Sequence, residues 1–267
     1  MDVTLPHHFQ PRSYQIPILK AMDNGCKRAV WVAHRRSGKD KTILNWTIKE
    51  MWRRVGAYYY FFPEYSQGRK VIWEGIDKDG FKFLDHFPKE ILQGDPNNVE
   101  MKVKLTNGSL FQIVGTDNFN SVLGTNPIGC VFSEYSLQNP TAWDFIRPIL
   151  RENGGWAVFC YTPRGMNHGW DILETAKKNN WFWEVLTVKD TQAVTQEQIE
   201  EERREGMPEP LIQQEFFCDF QAALVGAYYG QELAKMRQDN RITKVPYEKN
   251  FPVHTFWDLG IGDSTSI

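Results

Sequence analysis

The chain has 267 residues and a formal net charge of −2 at pH 7. Its hydrophobic residues (41%) and aromatic residues (14%) suffice for a sizeable buried core in one large domain or two small ones. We expect a soluble, unexported protein, because the sequence holds no run of 18 apolar residues and no secretory signal. The near-zero charge neither favours nor excludes nucleic acid, since a transient hold on DNA requires only a local basic patch.

The first predicted elements are a helix over residues 9–22 and a buried strand over residues 28–33. Gln15 lies in this helix, a short distance upstream of a glycine-lysine pair. An amide at that place can offer both its donor and its acceptor to the edge of an adenine ring. An isolated surface glutamine is the alternative interpretation.

The segment after the first strand matches most of a phosphate-binding pattern, G-x-x-x-x-G-K-[ST]. Gly38 and Lys39 stand at the required offset from Ala33, which replaces the first glycine, and Asp40 replaces the usual Ser or Thr. A helix is predicted over residues 38–53, and its N-terminus would direct amide groups and a positive dipole end at phosphates. A basic surface turn is the alternative. The predicted nucleotide-binding residues here are His34, Arg35, Arg36, Ser37, Gly38, Lys39, Asp40 and Lys41.

Strands and helices then alternate, which indicates an α/β fold with a mostly parallel sheet flanked by helices. Residues 57–62 form a short aromatic strand, and Ser66 is a candidate N-cap for a helix that carries apolar residues from Val71 to Ile76. From residue 100 to 114 the apolar period changes to two, around the pair Asn107-Gly108. This pattern predicts a hairpin at the sheet edge.

Two further strands end in polar residues. The strand over residues 128–133 is followed by Glu134, and the strand over residues 156–161 by Thr162. The carboxyl ends of parallel strands face the ligand crevice, so Glu134 is predicted beside the phosphate loop, where an attacking water needs a base. Thr162 is a candidate contact to the terminal phosphate. The alternatives are a helix-capping acid and an ordinary Thr-Pro turn.

Two departures from the usual nucleotide-binding pattern compensate each other. Magnesium is usually held by a hydroxyl after the loop lysine and by an Asp just before the catalytic Glu. Here Asp40 follows the lysine and Ser133 precedes Glu134, so carboxylate and hydroxyl have exchanged places. We hypothesise that Asp40 is the main magnesium ligand and Ser133 its weaker or water-bridged partner.

The C-terminal third is more polar. A charged helical segment over residues 195–217 is broken by Pro208, and a fresh strand containing Asp258 starts at Val253. We therefore predict a core over residues 1–190, a small helical lid and linker subdomain over residues 191–245, and the start of a further domain over residues 246–267.

Taken together, these motifs resemble the large terminase subunit of tailed bacteriophages, the ATPase that packs viral DNA into a procapsid. The resemblance covers about residues 9–170. It is carried by Gln15, residues 35–40, residues 62–67, the strand ending at Glu134 and residues 162–167. It implies a P-loop NTPase core of the ASCE (RecA-like) class that uses ATP and magnesium.

The resemblance also implies roles for individual residues. Lys39 would contact the β- and γ-phosphates, and Glu134 would polarise the attacking water. Arg35 would add positive charge at the γ-phosphate, Thr162 would couple hydrolysis to movement, and Gln15 would lie near adenine.

One feature of the family is missing. The family often has an Arg-Gly pair upstream of the strand that ends in the catalytic Glu, and this arginine acts on the ATP of a neighbouring subunit. Leu123-Gly124 stands there in this sequence. Arg147, Arg151 and Arg164 remain as unranked candidates for that trans-acting role.

By the same resemblance, residues 246–267 would open a ribonuclease H-like nuclease domain in which Asp258 ligates catalytic metal. The other acids of such an endonuclease site are not in this sequence, so we expect ATP hydrolysis without DNA cleavage. The implied partners are double-stranded viral DNA, a portal protein, a small terminase subunit and further copies in a ring on the procapsid. We expect a monomer in isolation, no membrane contact and a location in the host cytoplasm. A helicase-type DNA-dependent ATPase and a catalytically degenerate nucleotide-binding scaffold are the alternatives.

Overall fold

The computed structural model describes residues 3–222 without interruption and, beyond them, residues 232–233, 235–236, 239–243, 249–250 and 252. The chain divides into two units, Met1–Ala227 and Tyr228–Ile267. All elements named below belong to the first unit. The predicted boundaries near residues 190 and 245 remain predictions, and the predicted strand with Asp258 lies outside the described residues.

The described part of the first unit contains one seven-stranded sheet in the order β3-β4-β2-β5-β6-β1-β7. All neighbouring strands are parallel except β3 and β4, which form the antiparallel edge hairpin that the Asn107-Gly108 pattern predicts. The mostly parallel α/β fold is therefore confirmed. The strands are β1 (Arg28–Ala33), β2 (Ala57–Phe62), β3 (Lys102–Lys104), β4 (Leu110–Gly115), β5 (Pro127–Ser133), β6 (Trp156–Tyr161) and β7 (Phe182–Leu186).

The described part of the first unit contains eight α-helices, one before β1 and the others between and after the strands. They are α1 (Ile16–Asp23), α2 (Lys39–Arg53), α3 (Tyr65–Gly68), α4 (Thr141–Glu152), α5 (His168–Lys178), α6 (Val188–Thr191), α7 (Gln196–Arg204) and α8 (Glu209–Phe217). None of them is long and apolar enough to cross a bilayer. Short 3-10 turns lie at Ser13–Gln15, Phe83–His86, Lys89–Ile91, Thr116–Val122 and Tyr135–Leu137.

The helix after β2 differs from its prediction. A π-helical turn over Arg69–Trp73 follows α3 directly, and the helix stops there, so Ile76 lies beyond it. Its N-cap is Glu64 and not Ser66. The first helix also begins later than predicted, with the 3-10 turn at Ser13. The local sequence period does not predict these helix boundaries, because helix ends depend on packing against neighbouring elements.

Each face of the sheet buries its own apolar cluster. Trp31 of β1 faces the cluster that contains Ile43 and Leu44 of α2. Val30 and Val32, one residue away on either side, belong to the opposite cluster with residues of α4 and α5. Burial on both faces explains why the strands read as continuous apolar runs, as in other parallel sheets covered by helices.

Three stacked phenylalanine rings hold the central strands together. Phe132 of β5 stacks on Phe61 of β2 at 4.8 Å between ring centroids and on Phe159 of β6 at 5.0 Å. All three side chains are fully buried. Because β5 and β6 lead directly to Glu134 and Thr162, this stack fixes the spacing of the strands that carry the predicted site.

Removing the middle ring tests this packing. We expect Phe132→Ala to lower the free energy of unfolding by about 3–5 kcal/mol, because the ring leaves a cavity in a close-packed interior. Denaturant titration measures the loss. Phe145→Ala is the matched control, since Phe145 is 48% exposed. An equal loss in both variants would contradict a special role for the stack.

Candidate nucleotide-binding site

The phosphate loop connects β1 to α2 at the carboxyl edge of the sheet. Gly38 precedes the helix with φ 82°, in the left-handed region that favours glycine. A Cβ at Gly38 would also lie 3.1 Å from Gln15 Nε2. The turn therefore requires glycine for its backbone conformation and for the close approach of the neighbouring amide.

Two side chains that precede α1 form hydrogen bonds to this loop. The Tyr14 hydroxyl and Gln15 Nε2 both donate to the Ser37 carbonyl oxygen, at 2.9 and 3.1 Å. Gln15 Oε1 accepts from the Arg12 amide at 3.0 Å, and the residue is 3% exposed. Both halves of the Gln15 amide are thus occupied by backbone partners. Gln15 supports the phosphate loop in this structure, which differs from the donor-and-acceptor contact to adenine that the sequence suggested.

Lys39 lies at the centre of the site. Its ammonium donates to the Ala33 carbonyl at 3.1 Å and to Thr162 Oγ1 at 3.0 Å, and it lies 3.7 Å from Glu134 Oε1. The side chain is 6% exposed. Three side chains predicted from separate parts of the sequence therefore meet at one place. The strand order explains this meeting, because β6 with Thr162 lies between β1 and β5.

Glu134 adopts a backbone conformation that is unusual for a glutamate. Its φ and ψ are 53° and 44°, in the left-handed region, which costs about 1–3 kcal/mol for a residue with a Cβ. It precedes the 3-10 turn Tyr135–Leu137 but makes no side-chain capping bond, so helix capping does not explain it. Its Oε2 instead lies 3.4 Å from the Thr162 amide as a weak acceptor. The conformation directs the carboxylate to Lys39.

Asp40, at the start of α2, contacts the end of β5. The Ser133 hydroxyl donates to Asp40 Oδ1 at 2.6 Å, and the Tyr60 hydroxyl donates to the same oxygen at 2.9 Å. Burial, reinforced by the neighbouring Asp40 carboxylate, raises the pKa of Tyr60 far above its ordinary value, so the phenol stays a neutral donor. Sequence reasoning missed Tyr60, because one tyrosine in an aromatic strand carries no signal beyond that of a core residue.

His34 points away from the site. Its Nδ1 contacts the Arg35 carbonyl and its Nε2 contacts Thr191 Oγ1 of α6, and the residue is fully buried. Burial, and to a lesser extent the charge of Lys39, lowers the pKa of His34 to about 4. A neutral ring that donates from Nδ1 to the carbonyl accepts the Thr191 hydroxyl at Nε2. The His34 side chain thus links the phosphate loop to α6 and does not face a ligand.

The loop and the strand ends line a cleft of about 820 Å³. Arg35, Arg36 and Lys39 line it, as does Lys41, which donates to Asp77 Oδ2 at 2.8 Å. That hydrogen bond is the main reason why the pKa of Asp77 falls to about 2. The cleft is therefore rich in cations beside a helix N-terminus, which suits a phosphorylated ligand.

The structure distinguishes the three candidate trans-acting arginines by whether they line the cleft. Arg164 lines this cleft and pairs with Glu215 of α8. Arg147 and Arg151 lie on α4, are exposed, and do not line the cleft. Arg164 therefore faces the candidate site of its own chain.

No family model matches this chain, and no curated protein matches it. Solved structures of other proteins do match it. The large terminase ATPase domain of Thermus phage P74-26 superposes with a TM-score of 0.66 at 17% identity, over 82% of this chain and 100% of that one. The chain has the fold of a phage large terminase ATPase domain.

The large terminase of a second, thermophilic bacteriophage is similar in the same way. Its complex with ADP gives a TM-score of 0.62 at 12% identity, and its complex with ATP-γ-S gives 0.59 at 11%. Each match covers 78% of this chain, which spans 53% and 52% of those chains, about half of that terminase. The terminase ATPase domains have the fold of a P-loop NTPase, and this chain shares that fold.

The residues at the cleft fit a magnesium ion that arrives with a phosphate. In the part of the chain that the structure describes, no cluster of three or more His, Cys, Asp or Glu side chains could hold a metal. Magnesium in nucleotide sites needs no such cluster, because phosphate oxygens and water complete its octahedral shell. Asp40 supplies a carboxylate oxygen, Oδ2, that accepts no hydrogen bond from the described residues.

The buried neutral His34 predicts a pH dependence of stability. Its pKa is about 4 in the folded chain and 6.5 for the free side chain, so the unfolded state binds the extra proton between these values. Stability should therefore fall as pH is lowered from 6.5 towards 4, and His34→Gln should reduce that fall. Urea titrations across this range measure it, with His8→Gln as an exposed control. Equal pH dependence in the wild type and His34→Gln would contradict the assignment.

Proposed function

We propose that the chain is the ATPase motor domain of a viral genome-packaging terminase, which hydrolyses ATP with magnesium to move double-stranded DNA into a procapsid. The observation that carries the proposal is the meeting of Lys39 and Glu134, 3.7 Å apart at one cleft. The terminase fold supports it, as do the neighbours described in complex with ADP and with ATP-γ-S.

In this function the loop binds phosphate through its backbone and cations. The amide groups at the start of α2 point towards the cleft, and the helix dipole favours negative charge there. Lys39 now donates to Ala33 and Thr162, and the β- and γ-phosphates would exchange for these partners. Arg35 and Arg36, both exposed at the cleft, add charge at the terminal phosphate. Gln15 and Tyr14 keep the loop in place while this happens.

Glu134 is the proposed base. Its carboxylate is 22% exposed at the cleft, so it can reach a water in line with the terminal phosphate. Lys39 holds the carboxylate close to the phosphate position, and the weak contact from the Thr162 amide orients it further. Thr162 touches both Lys39 and, through that amide, Glu134. It is therefore the residue that we assign to sense loss of the terminal phosphate.

Magnesium would supply charge neutralisation between the phosphates. Asp40 is the proposed main protein ligand, with Ser133 as the weaker or water-bridged partner. Ser133 and Tyr60 both donate to Oδ1, which fixes the rotamer of the carboxylate and presents Oδ2 to the cleft. This arrangement retains one carboxylate and one hydroxyl at the metal, as the exchanged positions of the sequence suggest.

The remaining assignments concern the whole protein. We propose a ring of copies in the host cytoplasm, acting with a portal protein and a small terminase subunit on a procapsid. Residues 191–245 would serve as lid and linker, and Asp258 would belong to a C-terminal nuclease. Their support is the family resemblance, together with a large terminase of similar fold of which this chain spans 53%.

Phosphate release tests the catalytic assignment. We expect Lys39→Ala to lose nucleotide binding and Glu134→Gln to bind ATP but hydrolyse it at least about 100-fold more slowly, because the base is missing. Lys177→Ala and Glu174→Gln, a surface pair on α5, are the matched controls. Activity that survives in both site variants would overturn the site. A wild-type chain that binds ATP but releases no phosphate, alone or with DNA, would support the degenerate scaffold.

The exchanged magnesium ligands have their own test. Asp40→Ala should abolish magnesium-dependent hydrolysis, and Asp40→Ser should remain far below the wild type because two hydroxyls replace one carboxylate and one hydroxyl. Asp40→Ser combined with Ser133→Asp restores the pair in the usual order and should recover part of the rate. Rates measured against magnesium concentration decide this. Full turnover in Asp40→Ser alone would contradict the exchange.

A further inference from the structure

A buried ion pair lies at the wall of the cleft, outside the catalytic residues. Arg164 follows Thr162 by two residues, lines the cleft and is 28% exposed. Its Nη1 donates to Oε1 of Glu215, whose side chain is 5% exposed. Within the described residues, no other cation forms an ion pair with this carboxylate. Removing Arg164 from Glu215 would leave a buried charge unpaired, which proteins strongly disfavour.

Glu215 also touches the phosphate loop. Its backbone carbonyl accepts from the Arg35 amide at 2.9 Å. One residue of α8 therefore contacts the loop through its backbone and the arginine of the cleft wall through its side chain. A second contact joins the same regions, since His34 of the loop meets Thr191 of α6. Of these contacts, the Arg164–Glu215 pair is the one formed by a charged side chain that lines the cleft.

A nucleoside triphosphate would compete with the Glu215 carboxylate for this cation. The guanidinium group is a planar fork with five donors, and it binds phosphate and carboxylate with similar geometry. The terminal phosphate of ATP adds charge that ADP lacks, at the end of the cleft where Lys39, Glu134 and Thr162 meet. Arg164 follows Thr162 closely enough in the chain to border the same end.

We propose that Arg164 acts in cis on the terminal phosphate of the bound nucleotide and that Glu215 competes with the phosphate for it. ATP would draw the guanidinium from Glu215 and weaken the hold of α8 on the phosphate loop, whereas ADP would leave the pair intact. The proposal rests on the proposed nucleotide-binding function. It removes Arg164 from the candidates for an arginine that acts on a neighbouring subunit.

Affinities for ATP-γ-S and ADP, measured by calorimetry with magnesium on the full chain, test this competition. Arg164→Gln should weaken ATP-γ-S binding about tenfold and leave ADP nearly unchanged, because one charge-assisted contact to the terminal phosphate is lost. Glu215→Gln should strengthen ATP-γ-S relative to ADP, because the competitor is removed. In the double variant Glu215→Gln should have no further effect. Arg53→Gln, at an exposed arginine in the last turn of α2 that does not line the cleft, is the control.

A merely structural ion pair would change stability without changing this preference. If all variants keep the wild-type ratio of ATP-γ-S to ADP affinity, the proposal is wrong. If the wild type binds neither nucleotide, the proposed function itself fails, which is a distinguishable result. Thermal unfolding without nucleotide confirms that each variant folds.

Hydrogen exchange gives a second measurement that does not depend on the Glu215 variant. Amides of α8 in the wild type should exchange faster with ATP-γ-S than with ADP. In Arg164→Gln the two nucleotides should give the same exchange. Equal protection of α8 with both nucleotides in the wild type would also overturn the proposal.

Discussion

The contact between the Lys39 ammonium and the Glu134 carboxylate is the constraint on which the site depends. The two residues belong to elements that start from β1 and β5, and these strands are separated by β6. Neighbouring strands are roughly 4.8 Å apart, so β1 and β5 lie about 10 Å apart. The lysine and the glutamate side chains meet because each extends towards the other from its own side of β6. Thr162, at the end of β6, lies between them and accepts from the ammonium at 3.0 Å. A buried ammonium needs such partners, because burying an unpaired charge is strongly unfavourable.

This contact requires β1, β5 and β6 to end at the same level, and the core aligns two of them, β5 and β6. Phe61, Phe132 and Phe159 stack across β2, β5 and β6, while the register pairs Ser133 with Cys160 at the strand ends. The Glu134 amide continues the ladder by donating to the Cys160 carbonyl at 2.7 Å. The chain leaves the ladder only after that bond, through the left-handed conformation of Glu134. Packing in the interior thus offsets the local strain that aims the carboxylate.

The sequence predicts much of this site and misses specific parts of it for physical reasons. Lys39, Glu134 and Thr162 could be expected to meet, because parallel strands all end at one edge of the sheet. Which strand lies between the other two could not be read from local patterns, since a crossover can return on either side of a sheet. Gln15 is predicted to contact adenine because its amide can offer both a donor and an acceptor. In the structure that amide contacts the Ser37 carbonyl and the Arg12 amide, and its direction depends on the path of the chain before α1. His34 is predicted as a nucleotide-binding residue and Tyr60 is not predicted at all. In both cases the pattern gives residue type and period, whereas the partners Thr191 and Asp40 come from elements distant in sequence.

The exchange of Asp40 and Ser133 also has a consequence for how charge is distributed in the site. The two groups are in direct contact at 2.6 Å, so swapping them moves the carboxylate by little more than one hydrogen bond. The element that carries the carboxylate changes more. The carboxylate now belongs to the first turn of α2, where the helix dipole stabilises an anion, and the end of β5 carries only a hydroxyl. Glu134 then has a neutral hydroxyl as its neighbour in the chain, where the usual pattern has an aspartate. This contact therefore keeps the two oxygen groups that we propose as magnesium ligands together, with the carboxylate on α2 and the hydroxyl beside Glu134 in the chain.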